Sequence, residues 1–191
     1  DISSLRGSKY LQAKVGDSFR RVKEDLLHGK TVLFSGTGCQ INGLKGFLGR
    51  EYGNLICIDV VCHGVPSPKL WKEYVKFQER KYGKLEQVNF RAKDECWKKF
   101  GMKENQRYIP KGKDPFMNMF LDNFCLRPSC YTCCAKKHKL SDISIADFWG
   151  IERVAPEMND GMGTSLIIVR TEKGQELFDK IKGAVHWQEV D

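Results

Sequence analysis

The sequence predicts an α/β fold: a mixed sheet containing a parallel βαβ unit, with helices around it and a cysteine-rich loop. Three observations carry that reading. Two short apolar runs, TVLFSGT (31–37) and NLICIDVVCHG (54–64), flank a helix-like segment. Strand, helix and strand in so short a stretch make a crossover unit with parallel strands and a right-handed connection. Further buried-strand signals stand at ISIADFWG (143–150) and TSLIIVR (164–170), and cysteines gather at strand ends and in residues 128–142.

The elements follow in order. Residues 17–29 read as a helix with Phe19, Val22 and Leu26 on one face and Gly29 as its stop. The strand 31–37 comes next. The segment from Cys39 reads as a helix weakened by Gly43 and Gly46 and stopped near Gly49 or Gly53, and 54–64 as the second strand. Residues 67–83 have a clean helix start, with Ser67 as N-cap and Pro68 in the first position, and Leu70, Tyr74 and Phe77 forming the inner face. LEQVNFRAK and RYIP suggest strands of a hairpin or meander, separated by an irregular polar stretch (94–105). Residues 114–127 read as a helix capped by Asp114, burying Phe116, Phe120, Leu121 and Phe124. After the cysteine-rich loop come the two later strands, a helix over 171–184 and a short closing strand, VHWQEV.

A chain of 191 residues has core enough to need no staple, since a domain of that size buries about 70% of its extended-chain surface. Its eight cysteines are therefore read as ligands or core residues in a reducing, cytoplasmic setting rather than as a disulfide framework. One domain over 1–191 is expected, with a polar excursion near 84–112. The opening on Asp1 suggests a fragment of a longer chain. The formal net charge is +8, but the basic residues are scattered and do not alternate with aromatics. That argues against nucleic acid, and no apolar run suits membrane insertion. The densest basic patch, Lys136, Lys137, His138 and Lys139, reads either as a solvated loop or as a lure for phosphates or an acidic electron donor.

Four cysteines carry the chemistry. Cys39 and Cys62 each follow an apolar strand, at the edge where open α/β sheets bind ligands. Cys130 and Cys133 form a C-x-x-C. Four thiolates at one sheet edge suit an iron–sulfur cluster or a structural zinc. Zinc sites usually use two short-spaced pairs; here only one pair is short, which favours a cluster held across a fold. Cys125, at ferredoxin-like spacing to Cys130 and Cys133, is an alternate ligand. Cys134 adjoins Cys133 and points elsewhere, Cys57 reads as core, and Cys96 lies in a polar loop. His63, next to Cys62, is either a packed strand-end histidine or a proton relay. Two segments could serve a flavin or nucleotide. Arg6, Gly7, Ser8, Lys9 and Tyr10 combine positive charge, a flexible glycine and an aromatic. Asp147 to Gly150 put a carboxylate, Phe148 and Trp149 at a strand end, read either as the lining of a ring pocket or as a Phe–Trp pair buried in the core. Neither a dinucleotide fingerprint nor a P-loop is present.

Five stretches together, VLFSGTGCQINGLKGFL, CIDVVCHGVPSPKLWKEY, NFRAKDECWKKFG, KDPFMNMFLDNFCLRPSCYTC and SDISIADFWGIE, resemble the coenzyme F420 hydrogenase/dehydrogenase beta-subunit family, in the family's order. The likeness runs from RGSKY to the helix TEKGQELFDKIK. It implies an iron–sulfur flavoprotein oxidoreductase with FAD beside a [4Fe-4S] cluster. It implies cluster ligands at Cys39, Cys62, Cys130 and Cys133, and flavin contacts at Arg6, Gly7, Ser8, Lys9, Asp147 and Trp149. Implied partners are a ferredoxin, or an upstream ferredoxin-like region of the parent chain, and a small-molecule acceptor. That acceptor is coenzyme F420 or a substrate linked to polysaccharide biosynthesis. The chain departs from the family at Gly38, where proline is usual, and at Cys125 and Cys134, which look like additions. The competing reading is a non-catalytic binding module stapled by zinc or a degenerate cluster.

Overall fold

The computed structural model describes residues 7–93 and 97–190; Arg6 and Cys96 lie outside the described residues. In chain order the elements are α1 (Ser18–Leu27), β1 (Val32–Thr37), α2 (Gly38–Leu48), β2 (Leu55–Val60), α3 (Pro68–Tyr82), β3 (Val88–Ala92), β4 (Gly101–Glu104), β5 (Arg107–Pro110), α4 (Pro115–Leu121), α5 (Pro128–Tyr131), β6 (Ile143–Asp147), α6 (Ile151–Val154), β7 (Ser165–Val169) and α7 (Glu172–Ile181). They fall into two compact units, Asp1–Ala13 with Gly64–Thr132, and Lys14–His63 with Cys133–Asp191. The polar stretch 84–112 is internal to the first of these, and the division at the cysteine-rich loop falls between Thr132 and Cys133, inside the C-x-x-C.

The unit containing α1 and α2 is the α/β part. Its sheet has the order β1-β2-β6-β7. β1, β2 and β6 run parallel and β7 closes the sheet antiparallel to β6. The parallel βαβ unit expected from 31–64 is present, with α2 as its crossover. Val32, Phe34, Leu55 and Cys57 share one face of the sheet and pack with Val22 and Leu26 of α1 and Ile41, Leu44 and Leu48 of α2. The spacing 22/26 and 41/44/48 is what a 3.6-residue repeat needs to put one stripe against a sheet. Gly49 ends α2 in the left-handed region at φ 68°, a conformation that glycine adopts without a Cβ penalty.

The other unit carries the three-stranded antiparallel sheet β3-β4-β5, with α3, α4 and α5. Ser67 caps α3 by accepting from the Lys69 amide at 3.2 Å, and Pro68 takes the first position. The core is aromatic: Tyr74, Phe90, Phe100 and Phe116, with Met102 and Met117. The Trp71 ring lies 4.9 Å from both Phe90 and Phe116. Tyr10 stacks on Phe120 at 4.5 Å. A polar cluster threads this core. The Tyr74 hydroxyl meets Glu104 and Asp114 and accepts from Gln78 Nε2 at 2.9 Å, and Glu104 pairs with Arg107. Burial first, then the Asp114 and Glu104 contacts, push the Tyr74 hydroxyl far above the usual phenol range.

Several sequence expectations need correction. Phe77 is 49% exposed, and Trp71 and Gln78 supply the inward contacts beside Tyr74. The helix expected over 114–127 stops at Leu121, because Asn123 adopts φ 65°, so Phe124 is 79% exposed and Cys125 lies outside the helix. The stretch read as irregular contains β4. Its strand character is hidden because Glu104 occupies an inward position, which only its partners Tyr74 and Arg107 make tolerable. The second strand ends at Val60 rather than at Gly64. VHWQEV forms no strand; Trp187 instead packs edge-on against Phe178 of α7 at 5.4 Å.

Candidate functional site

The parallel strands of the α/β unit align their C-terminal ends. Thr37 pairs in register with Val60, and Val60 with Ile145. β1 and β2 end at this edge, and β6 runs two residues further, to Asp147, which still pairs with Ser165 of β7. Cys39 stands two residues past Thr37, in the first turn of α2. Cys62 stands two residues past Val60, Asp147 two past Ile145, and Trp149 two further on. This is the edge where parallel sheets present ligand-binding loops. Cys39 is exposed and Cys62 half-buried. The Thr37 amide donates to Gln40 Oε1 at 2.9 Å, closing the first turn of α2, and Thr37 Oγ1 lies 3.1 Å from Cys39 Sγ.

The segment that begins with Cys133 is tied to the same edge. It makes a 3-10 turn over Cys134–Lys136. Lys136 Nζ donates to the His63 carbonyl at 3.1 Å, and Asn42 Nδ2 of α2 donates to the His138 carbonyl at 2.9 Å. Lys139 pairs with Asp59 of β2. A Cβ at Gly38 would come 2.9 Å from Asp59 Oδ2 and 3.3 Å from Ala135 Cβ, so the missing side chain here admits both neighbours. Of the basic patch, Lys136, Lys137 and His138 are exposed, with Lys136 donating to a carbonyl, and only Lys139, 11% exposed, is drawn in from solvent.

Asp59 is the buried centre of this edge. It shares a sheet face with Leu55 and Cys57, accepts from Lys139 and Ser144, and accepts from Ser141 Oγ at 2.9 Å. Arg170 Nε donates to Ser144 Oγ at 2.8 Å. A second buried carboxylate, Asp142, accepts from the Cys57 amide and the Thr171 hydroxyl, each at 2.7 Å. None of these residues was singled out from the sequence. The signal that could have found them was a charge at an inward position of an apolar strand, in LICIDV.

Cys130 lies in α5, in the other unit. Its amide donates to the Arg127 carbonyl at 2.8 Å, and the Arg127 amide donates to the Val65 carbonyl at 2.8 Å. Leu126 bridges Pro66. Cys125 is half-buried, and burial raises its thiol above the ordinary range. Cys57 is fully buried, pushed up to about 11 by burial first and by the Asp142 carboxylate next. Among the described residues, no three His, Cys, Asp or Glu side chains are placed together to hold a metal ion. Thiolates are the donors that an iron–sulfur centre takes; Cys39, Cys62, Cys125, Cys130, Cys133 and Cys134 are each at least partly accessible, whereas Cys57 is sealed in the core.

The segments assigned to a flavin are divided between the units. Gly7 and Lys9 are exposed and Ser8 half-buried, and Lys9 Nζ lies 3.3 Å from the Gly7 carbonyl. The aromatic of that group, Tyr10, belongs to its own unit's core. Asp147 is exposed, and Trp149 is 58% exposed rather than packed in a core.

Residues 29–191 match the family described as the C terminus of the coenzyme F420 hydrogenase/dehydrogenase beta subunit. The chain belongs to this family. Seven chains of solved structures match it. One comes from the F420-reducing [NiFe] hydrogenase complex of Methanosarcina barkeri, solved in a xenon-derivatization study, with a TM-score of 0.56 and 20% identity. That match covers 96% of this chain and 59% of the hydrogenase chain, so it shows a common fold over a little more than half of the longer protein. No curated protein matches at a significant level. No helix among the described residues is long and apolar enough to cross a membrane.

Proposed function

We propose that this chain is a redox domain of the hydrogenase/dehydrogenase beta-subunit type, an iron–sulfur flavoprotein that takes electrons from a ferredoxin or a ferredoxin-like region and delivers them to an organic acceptor. The observation that carries this reading is the collection of Cys39, Cys62, the Cys133 segment, Asp147 and Trp149 at the C-terminal edge of the parallel strands of one sheet, in a chain of this family. Cys39, Cys62 and Cys133 are assigned as ligands of a [4Fe-4S] cluster, and Cys130 joins them by the spacing of the C-x-x-C. When bound, the cluster supplies one-electron transfer and FAD supplies hydride transfer.

The chain's own residues do the rest. Thr37 Oγ1 lies within hydrogen-bond reach of the Cys39 sulfur, and a hydroxyl that donates to a ligating thiolate is one means by which a protein tunes such a centre. Arg6, Gly7, Ser8 and Lys9 are assigned to the flavin phosphates, and Asp147 and Trp149 to its ring. The acceptor is coenzyme F420 or another small molecule, including one linked to polysaccharide biosynthesis, and the setting is cytoplasmic. The 191 residues are taken as one functional domain of a longer parent.

Anaerobic purification with iron, sulfide and FAD tests this. The expected product is brown, with iron and sulfide in equal amounts and a flavin spectrum. Cys133→Ser and Cys130→Ser should each lose most of the iron, while Cys57→Ser and Cys96→Ser keep it. A colourless protein holding one zinc would replace this reading with that of a metal-stapled module.

A further inference from the structure

The buried Asp59–Lys139 pair joins a strand of the sheet to the segment that carries Cys133. Nothing in the proposed electron transfer uses either residue. Asp59 has no solvent exposure, and its oxygens are taken by Lys139, Ser141 and Ser144. Lys139 retains 11% exposure. A buried charge is retained at low cost only where its partner and its hydrogen bonds are complete. The pair therefore holds Lys139 where Asp59 is, and the chain from Cys133 to Lys139 with it. Lys136 on the His63 carbonyl and Asn42 on the His138 carbonyl hold the same stretch at two further points. The segment so held begins at Cys133 and lies against the edge that carries Cys39 and Cys62.

We propose that Asp59 and Lys139 are positioning residues for the cluster: the ion pair holds the Cys133 segment in place before iron arrives, so that the thiolate does not have to be ordered when the centre assembles. The proposal rests on the cluster reading above and deepens it. Neither residue is among the assigned ligands, and the oxygens of Asp59 are taken up by Lys139, Ser141 and Ser144. Their effect runs through the placement of Cys133, as outer partners of metal ligands act elsewhere.

The test uses the whole chain as wild type, Asp59→Asn, Lys139→Met and Lys139→Arg. Leu44→Ala serves as a control that weakens the core of the same unit while leaving the Lys139, Lys136 and Asn42 ties to the segment in place. In the iron-free proteins, amide hydrogen exchange is followed in peptides covering 133–139. Exchange there should rise in Asp59→Asn and Lys139→Met and return towards wild type in Lys139→Arg, while Leu44→Ala alters it no more than it alters α1. In proteins reconstituted anaerobically with iron and sulfide, iron release to a chelator should accelerate by about tenfold to a hundredfold in the first two variants, with a changed EPR line shape after reduction.

Unaltered exchange over 133–139, or the same rise in Leu44→Ala, would overturn the positioning role. So would wild-type iron retention in Asp59→Asn and Lys139→Met. Wild-type protein that takes up no iron would overturn the cluster reading and this proposal together, a result distinct from iron-loaded wild type with unaffected variants.

Discussion

Replacing Asp142 probes how the α/β unit is tied together. This carboxylate has no solvent exposure and bridges two elements. One oxygen accepts the Cys57 amide of β2 at 2.7 Å, and the other accepts the Thr171 hydroxyl at 2.7 Å. Thr171 in turn caps α7, its hydroxyl oxygen accepting from the Gly174 amide at 3.1 Å. Hydrogen bonds to a charged group contribute about 1.5–3 kcal/mol each. Asp142→Ala removes two of them and leaves a buried amide without an acceptor, so it should destabilise the chain by about 3–5 kcal/mol. That is a large part of the total for a domain, which is about 5–15 kcal/mol. Asp142→Asn should cost less, about 1–2 kcal/mol. Its carbonyl can keep the Cys57 amide, and its NH2 can donate to the Thr171 oxygen, which is also an acceptor. Urea denaturation followed by circular dichroism measures both. Equal losses in the two variants, or a loss below about 1 kcal/mol in the alanine variant, would refute the bridging role.

Two further outcomes follow from the same structure. Burial and Asp142 raise the Cys57 thiol from 9.0 to about 11, so the folded state keeps a proton that the unfolded chain releases. Stability should therefore be intact below pH 9.0 and fall by up to about 3 kcal/mol between there and about 11. Cys57→Ala should flatten that fall in urea titrations at stepped pH, and a slope identical to wild type would remove the thiol as its source. Lys9→Glu reverses a charge assigned to the FAD phosphates, and FAD affinity should drop by about tenfold to a hundredfold. Flavin fluorescence titration reads it, and unchanged affinity would remove Gly7 to Lys9 from the pocket.

The parallel βαβ unit was legible because its signals are local. Glycine-bounded apolar runs at 31–37 and 54–64 and the 41/44/48 stripe between them specify strand, helix and strand from neighbouring residues alone. The helix starts at Ser67–Pro68 and Asp114–Pro115 were legible for the same reason: a capping oxygen and a proline act within one turn. The family was legible too, because five stretches agree in order.

What the sequence left undecided depends on residues far apart in the chain. Strand β4 exists because Glu104 has Tyr74 and Arg107 beside it, and period-2 patterning alone rejects a carboxylate facing inward. Phe77 and Phe124 sit outside the core although their spacing suited it, since the backbone turns away at Asn123 and α3 presents Trp71 and Gln78 instead. The sequence could pick out Cys39, Cys62, Cys130 and Cys133 by type and spacing. It could not show that Asp59, eighty residues before Lys139, holds the Cys133 segment at the sheet edge. An ion pair between distant residues leaves no local pattern; it becomes visible only when folding buries both charges and makes each depend on the other.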